Sequence, residues 1–209
     1  LCTIFCINNF CEKIQKITLP DSIRVIGERA FYWCKALEEI NVPDGVTEIC
    51  NGTFSSCGIK KMTLPDSVRS IGERAFWGCD VMESVNVPDG VAEIGGGIFG
   101  VCGALKKIEI PGSVEKISVH AFQRCLALEK VIIHEGVAEI GREAFSDCAA
   151  LRELELPASI SKITNYRYRG GDMLTPFYEI PDLTLIVTPK SYAEKYCKRN
   201  ELKYKLKDS

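Results

Sequence analysis

Six phenylalanines recur through the chain at an almost constant step. Phe31, Phe54, Phe76, Phe99, Phe122 and Phe145 lie 23, 22, 23, 23 and 23 residues apart. A cysteine follows each by three places, at Cys34, Cys57, Cys79, Cys102, Cys125 and Cys148. A proline opens the copies in phase, at Pro20, Pro43, Pro65, Pro88, Pro111 and Pro157, and His134 replaces it once. Self-similarity at a period of about 20–50 residues predicts a stack of equivalent units, each touching only its neighbours. The one short step reflects a residue missing between Cys57 and Ile59.

The copy Pro20–Val42 shows what each unit encodes. Leu37, Ile40 and Val42 are apolar, and the Ile-x-Val alternation predicts a short strand with one buried face. The next proline ends that strand, because it has no N–H to donate. Apolar pairs three apart, such as Ile23/Ile26, Val46/Ile49 and Val68/Ile71, predict a second short extended segment. Between the two, Glu28–Cys34 is too short for a long helix. It is expected to form one helical or 3₁₀ turn that plugs Phe31 and Cys34 into the core. No copy can bury its apolar face alone, so stacking must bury columns of Phe, Cys, Leu and Ile. The expected fold is an α/β-type repeat solenoid: a right-handed, curved leucine-rich stack with a parallel sheet on one face, short helical or 3₁₀ turns and a C-terminal capping helix.

The whole chain, 1–209, reads as a single domain. Residues 1–19 are a partial repeat or cap, 20–188 hold seven repeats, and 189–209 form the closing cap. The seventh repeat carries an insertion of nine residues near 164–175 before Phe177 restores the phase. Ser191 is a candidate N-cap for a helix with Tyr192, Ala193, Tyr196 and Cys197 on one side. The residue two after the proline position alternates as Ser22, Gly45, Ser67, Gly90, Ser113, Gly136 and Ser159. This predicts duplication of a two-repeat block; the competing reading is that the glycine copies use a turn of positive φ and the serine copies do not.

The 26 basic and 28 acidic residues give a net charge of −2. That balance supplies no electrostatic footprint for nucleic acid or an anionic membrane. No apolar run reaches the length of a membrane span. The chain opens on Leu1, which reads as a fragment or processed form. Eleven cysteines is an odd number, and a single column of equivalent thiols differs from the paired spacings of a disulfide framework. The column is expected to be reduced and buried, as small hydrophobes. Cys2, Cys6 and Cys11 lack a fourth ligand for zinc. His120 and His134 are expected at the surface without a nucleophile beside them. Gly95-Gly96-Gly97 lacks the Gly-Lys-Ser/Thr that completes a phosphate loop. No catalytic group, cofactor or metal is expected.

Three outward columns cross the strands. One reads Gln15, Glu38, Lys60, Glu83, Lys106, Glu129, Arg152, alternating in sign from Glu38 onward, and is expected to satisfy its own charges. The other two supply the candidate binding residues Glu39, Lys61, Ser84 and Lys107, and Asn41, Thr63, Asn86 and Glu109. The small polar Thr/Asn stretch would suit hydrogen bonding to an extended peptide or a glycan. A second candidate is the 165–172 loop, with Tyr166, Arg167, Tyr168 and Arg169, since both residue types are enriched at binding hot spots.

The phrase LPDSIRVIGERAFYWCKALEEINVP resembles the BspA-type leucine-rich repeat. The matching motifs are IGERAF at Ile26–Phe31 and Ile71–Phe76 and IGREAF at Ile140–Phe145, and PKSYAEKYCKRNELKY is similar to the family's closing segment. The resemblance covers nearly all of 12–205. Cys50 and Ser118 at the glycine position, His134 at the proline and the insertion depart from it locally. The resemblance implies a non-enzymatic module for protein binding or adhesion, at the cell surface or secreted, with a glycan as the alternative ligand. The thiol column is equally compatible with the cytoplasm. The expected state is a monomer or a weak end-to-end associate.

Overall fold

The structure, a computed structural model, describes residues 13–167, 171 and 173–208, together with the backbone of residues 2–4. The chain winds as stacked coils, seven of them numbered here from each opening proline position: 20–42, 43–64, 65–87, 88–110, 111–133, 134–156 and 157–187. A partial coil precedes them. Each complete coil has two short strands and so contributes to two parallel sheets, one more than leucine patterning alone requires. The front sheet collects Lys16–Ile17, Glu39–Ile40, Lys61–Met62, Ser84–Val85, Lys107–Ile110, Lys130–Ile133, Glu153–Leu156 and Thr184–Val187. The back sheet collects Cys2–Ile4, Ile23–Ile26, Glu48–Ile49, Ser70–Ile71, Glu93–Ile94, Lys116–Ile117, Glu139–Ile140 and Lys162–Ile163.

The segment expected to be a 3₁₀ turn is instead a third ladder. In coil 1, Ala30, Tyr32 and Cys34 donate to the carbonyls of Gly27, Arg29 and Phe31 at 3.1–3.2 Å. The intervening Arg29, Phe31 and Trp33 donate to Asn51, Thr53 and Ser55 of coil 2 at 2.8–3.0 Å. A 3₁₀ helix would spend every N–H within the coil. Here alternate amides are turned outward by residues of positive φ, at Arg29 (52°) and Trp33 (64°) and at their counterparts in later coils. The backbone accepts that strain because a buried amide left unpaired is costlier than the left-handed conformation.

Inside, the phenylalanines form one offset stack from Phe31 to Phe177, with centroids 5.3–6.1 Å apart and planes within 7–16°. The column cysteines are buried free thiols. Cys57, Cys79, Cys102, Cys125 and Cys148 each donate to the phenylalanine carbonyl of the preceding coil, at 2.9–3.2 Å. Burial pushes the Cys79 and Cys125 thiols up to about 12.

The Ser/Gly alternation is structural in both halves, and a turn of positive φ accounts for one of its three glycines. Ser67, Ser113 and Ser159 donate to the carbonyls of Val46, Val91 and Val137 in the preceding glycine coil. Gly45 and Gly90 lack positive φ. They make room: a Cβ there would run into the guanidinium of Arg24 or Arg69 of the preceding coil. Of the three glycines, only Gly136 has positive φ, at 117°.

The same pairing appears in the front sheet. Its ladders join the partial coil to coil 1, coil 2 to 3, coil 4 to 5 and coil 6 to 7, and skip the junctions between those pairs. The back sheet runs through coils 1–3 and through coils 4–7. Among the described residues, coils 3 and 4 therefore share no sheet hydrogen bond on either face. The third ladder alone joins their backbones, through Arg74, Phe76 and Gly78 donating to Gly96, Ile98 and Gly100 at 2.8–3.0 Å.

The stack is closed by the helix Tyr192–Arg199. Ser191 caps it by accepting from Glu194 N–H at 3.2 Å, and Glu194 accepts in turn from Lys190 N–H at 2.5 Å. Ala193, Tyr196 and Cys197 are buried as expected, while Tyr192 remains 39% exposed. Sequence reading missed the strand Tyr204–Leu206, which adds to Thr184–Val187 and extends the front sheet past the helix.

Candidate functional site

The front-sheet strands place Glu39, Asn41, Lys61, Thr63, Ser84, Asn86, Lys107 and Glu109 on one exposed face, as alternation along a strand requires. Their chemistry differs from what the columns imply. Asn41 Oδ1 accepts from Leu19 N–H at 2.6 Å and its Nδ2 donates to Leu19 O at 2.9 Å. Asn86 does the same to Leu64, at 2.7 and 2.9 Å. Each carboxamide replaces two ladder bonds within a coil pair whose strands are only two residues long. Where Ile132 takes the Asn place, the strands lengthen to four and the backbone ladder continues. These two asparagines are thus spent on the fold.

The alternating column does not form the expected ion pairs. Among the described residues no ion pair joins two of its members, and Arg152 reaches Asp182 instead, at 3.9 Å. The sign alternation follows the coil pairs, with Lys60 and Lys106 on first strands and Glu83 and Glu129 on second ones. Ion pairs form elsewhere on the face. Lys16 meets Glu39 at 2.6 Å, holding that carboxyl below its usual range. Glu153 and Glu155 are met by Lys205 in the strand after the helix and by Lys207 just past its end. His134 Nε2 lies 2.7 Å from Glu109, whose carboxyl is lowered by that hydrogen bond. His120, expected at the surface, is half-buried, with Nδ1 3.4 Å from Glu143; burial lowers its pKa.

Where the front ladder skips, the face opens. The junction of coils 3 and 4 holds a cleft of about 920 Å³, with Ser84 and Asn86 on one side and Lys107 and Glu109 on the other. His134 and Glu135 close one end. A second opening of about 500 Å³ lies on the back of the same junction. The cleft brings together four of the eight front candidates. Glu39 and Lys61 line a smaller cleft of about 530 Å³ with Asn41, and Thr63 lines neither.

Tyr166 and Arg167 are not on this face. They form a strand paired antiparallel with Met173–Leu174, a hairpin that leaves coil 7 just after its back-sheet strand. The Tyr166 ring lies 5.5 Å from the Arg142 guanidinium. At the hairpin root, Asn165 bonds Asn200 and the Tyr196 hydroxyl of the closing helix. Tyr168 and Arg169 lie outside the described residues, as do the side chains of Cys2, Cys6 and Cys11. Among the described residues no group of three or more His, Cys, Asp and Glu side chains could hold a metal ion. No helix among them is long and apolar enough to cross a membrane.

A continuous Phe/Cys core under stacked parallel strands, closed by a short helix, defines a leucine-rich solenoid. The family model for the BspA type leucine rich repeat region matches six copies, over residues 5–129 and 94–190, and the chain belongs to that family. No curated protein matches it. Among solved structures it is similar to a leucine-rich repeat protein from Bacteroides ovatus, at 27% identity, TM-score 0.64 and 94% coverage of this chain. It is also similar to a leucine rich repeat protein of T. pallidum, at 30% identity, TM-score 0.61 and 66% coverage. A third leucine-rich repeat protein, from Eubacterium ventriosum, shares the fold at 24% identity, TM-score 0.65 and 77% coverage. The chain spans 52%, 64% and 48% of those proteins' own lengths.

Proposed function

We propose that the chain is a non-enzymatic module whose front-sheet face docks a protein partner, centred on the cleft between coils 3 and 4. The observation that supports this is the convergence of Ser84, Lys107 and Glu109 on one opening, beside the fold-committed Asn86. Repeat families of this kind work through extended exposed faces, and this cleft, about 920 Å³ against about 720 Å³ at the junction of coils 5 and 6, gives the face a shaped recess. Its lining carries both signs of charge, which favours a partner surface of mixed polarity. Adhesion and a location at the cell surface or outside the cell follow from the family resemblance and belong to the same reading. The glycan alternative on the Thr/Asn column has less support, because two of its asparagines are committed to Leu19 and Leu64.

Ser84→Arg with Lys107→Glu tests the reading, since both side chains are exposed and neither is bonded among the described residues. A partner captured by cross-linking to the wild type should bind the double variant about tenfold more weakly or worse, about 1.4 kcal/mol, with the melting temperature unchanged. If binding survives that change but is lost when residues 166–172 are deleted, the hairpin is the docking site and the face assignment fails.

A further inference from the structure

The short repeat has a consequence on the outer edge of the third ladder. Other coils place two residues between the column cysteine and the next core position, as in Lys35-Ala36 and Asp80-Val81. Coil 2 has Gly58 alone before Ile59. Gly58 packs so closely on the Lys35 carbonyl that no side chain fits. The missing residue leaves a notch of about 370 Å³ between coils 1 and 3, within the usual size range of small-molecule sites, about 300–1,000 Å³.

The two tryptophans of the chain line it. They stand two coils apart, about 10 Å at the usual strand spacing. Trp77 is fixed: its ring lies over Gly97 and Gly100 of coil 4, where any Cβ would strike it, and Arg74 sits 5.6 Å from the ring. Trp33 is 53% exposed, with Lys35 Nζ 4.2 Å from its ring centre and Tyr32 6.1 Å away. The polar groups of the notch are Ser56, Lys35 and Asp80. No hydrogen bond or ion pair within the described chain occupies the Ser56 hydroxyl or the Asp80 carboxylate.

We propose that this notch is a subsite for a neutral hexopyranose unit of a glycan, stacked on Trp33 and hydrogen-bonded by Ser56, Lys35 and Asp80. A sugar ring offers an apolar C–H face for an indole and hydroxyls around its rim. The notch offers one acceptor, one donor and one group that is both. A cationic ligand would be repelled by the Lys35 ammonium over the Trp33 ring, whereas a neutral sugar takes that place on the ring while the flexible ammonium swings to its hydroxyls. An anion would meet Asp80. A purely apolar side chain would strip water from three polar groups and return no hydrogen bonds, which is unfavourable. The site lies on the ladder edge, away from the front-sheet cleft, so it is independent of the protein-docking reading.

Both tryptophans line the notch, so intrinsic fluorescence reports its occupancy. The wild-type chain is titrated with lactose, maltose, cellobiose and N,N′-diacetylchitobiose, with binding confirmed by calorimetry. The expected result is a saturable emission shift with at least one of them, at a Kd on the order of 1 mM or tighter. Trp33→Ala should weaken that binding about tenfold or more by calorimetry, with melting unchanged, and Ser56→Ala should weaken it severalfold. Inserting one alanine after Gly58, which restores the common repeat length, should abolish it. Ser84→Arg with Lys107→Glu on the front face should leave it intact. The proposal is overturned if no disaccharide shifts the emission, if binding survives Trp33→Ala, or if choline or a glucuronate-containing disaccharide saturates the notch in place of the neutral sugars.

Discussion

At the scale of single residues, the costly choices are backbone ones. Val101 sits at φ 60° in a column where Gly78 stands one coil earlier at 71°. A β-branched side chain is a steric outlier there, and the left-handed conformation costs a non-glycine residue about 1–2 kcal/mol. Val101→Gly should therefore stabilise the fold by about 1 kcal/mol in chemical denaturation; a lower midpoint would show that Val101 packing outweighs the strain. The thiols make a second residue-level test. Burial holds Cys79 and Cys125 near 12 and Cys197 at about 11; partial burial and then Glu48 raise Cys50 too, but it alone of the described thiols is open to a reagent. The thiolate is the reactive form. Of the eight described thiols, only Cys50 should react with a disulfide reagent at neutral pH before the protein unfolds, as read by mass mapping of labelled peptides. Labelling of Cys102 or Cys125 at the same rate would mean that the core opens locally.

The ladder of turns is the element that sequence reading misjudged, and it carries a pH signature. Asp147 and Glu179 occupy its left-handed positions in coils 6 and 7. Desolvation first, and then the Glu179 hydrogen bond, push Asp147 up to about 6, and the shared proton holds Glu179 below its usual range. A carboxyl raised in the folded state is protonated there while still ionised in the unfolded chain, between about pH 4 and 6. The wild type therefore loses stability as pH rises through that window and does not regain it above. Asp147→Asn avoids the loss, so its advantage over the wild type should grow from pH 4 to about 6.5 and then level off, measured by denaturant unfolding at each pH. An advantage that is flat, or that shrinks, would contradict the shared proton. The helix Tyr192–Arg199 was legible from its cap and apolar side. The strand after it was not: Tyr204–Leu206 has two alternating apolar residues and becomes a strand only because Thr184–Val187 lies open beside it.

At the scale of the whole molecule, the coils are not equally joined. Eight ladders bind coils 1–3 or coils 4–7 within themselves, five in the back sheet and three in the front, whereas the seam between coils 3 and 4 rests on the turn ladder and the core columns. Stability in a repeat stack is a sum of units and nearest-neighbour interfaces, so the weakest interface sets where the stack divides. Native-state amide exchange at rising denaturant should resolve two cooperative units, one ending and one beginning near residue 88, with the C-terminal unit opening last. A single exchange isotherm for amides of Ile49 and Ile117 would refute the division. The repeat period, the Phe and Cys columns and the closing helix were all readable from residue order, because burial of a periodic apolar face is a local property of each copy. The Ser/Gly alternation was readable too, as a two-repeat pattern, while its packing role was not. Which strands pair, why Asn41 and Asn86 turn inward to their neighbours, where the seam opens and how a missing residue becomes a notch between two tryptophans were decided only by tertiary structure. The physical reason is that each depends on a hydrogen bond or a void shared with a residue about 22 or more positions away, and every copy presents nearly the same pattern to both of its neighbours.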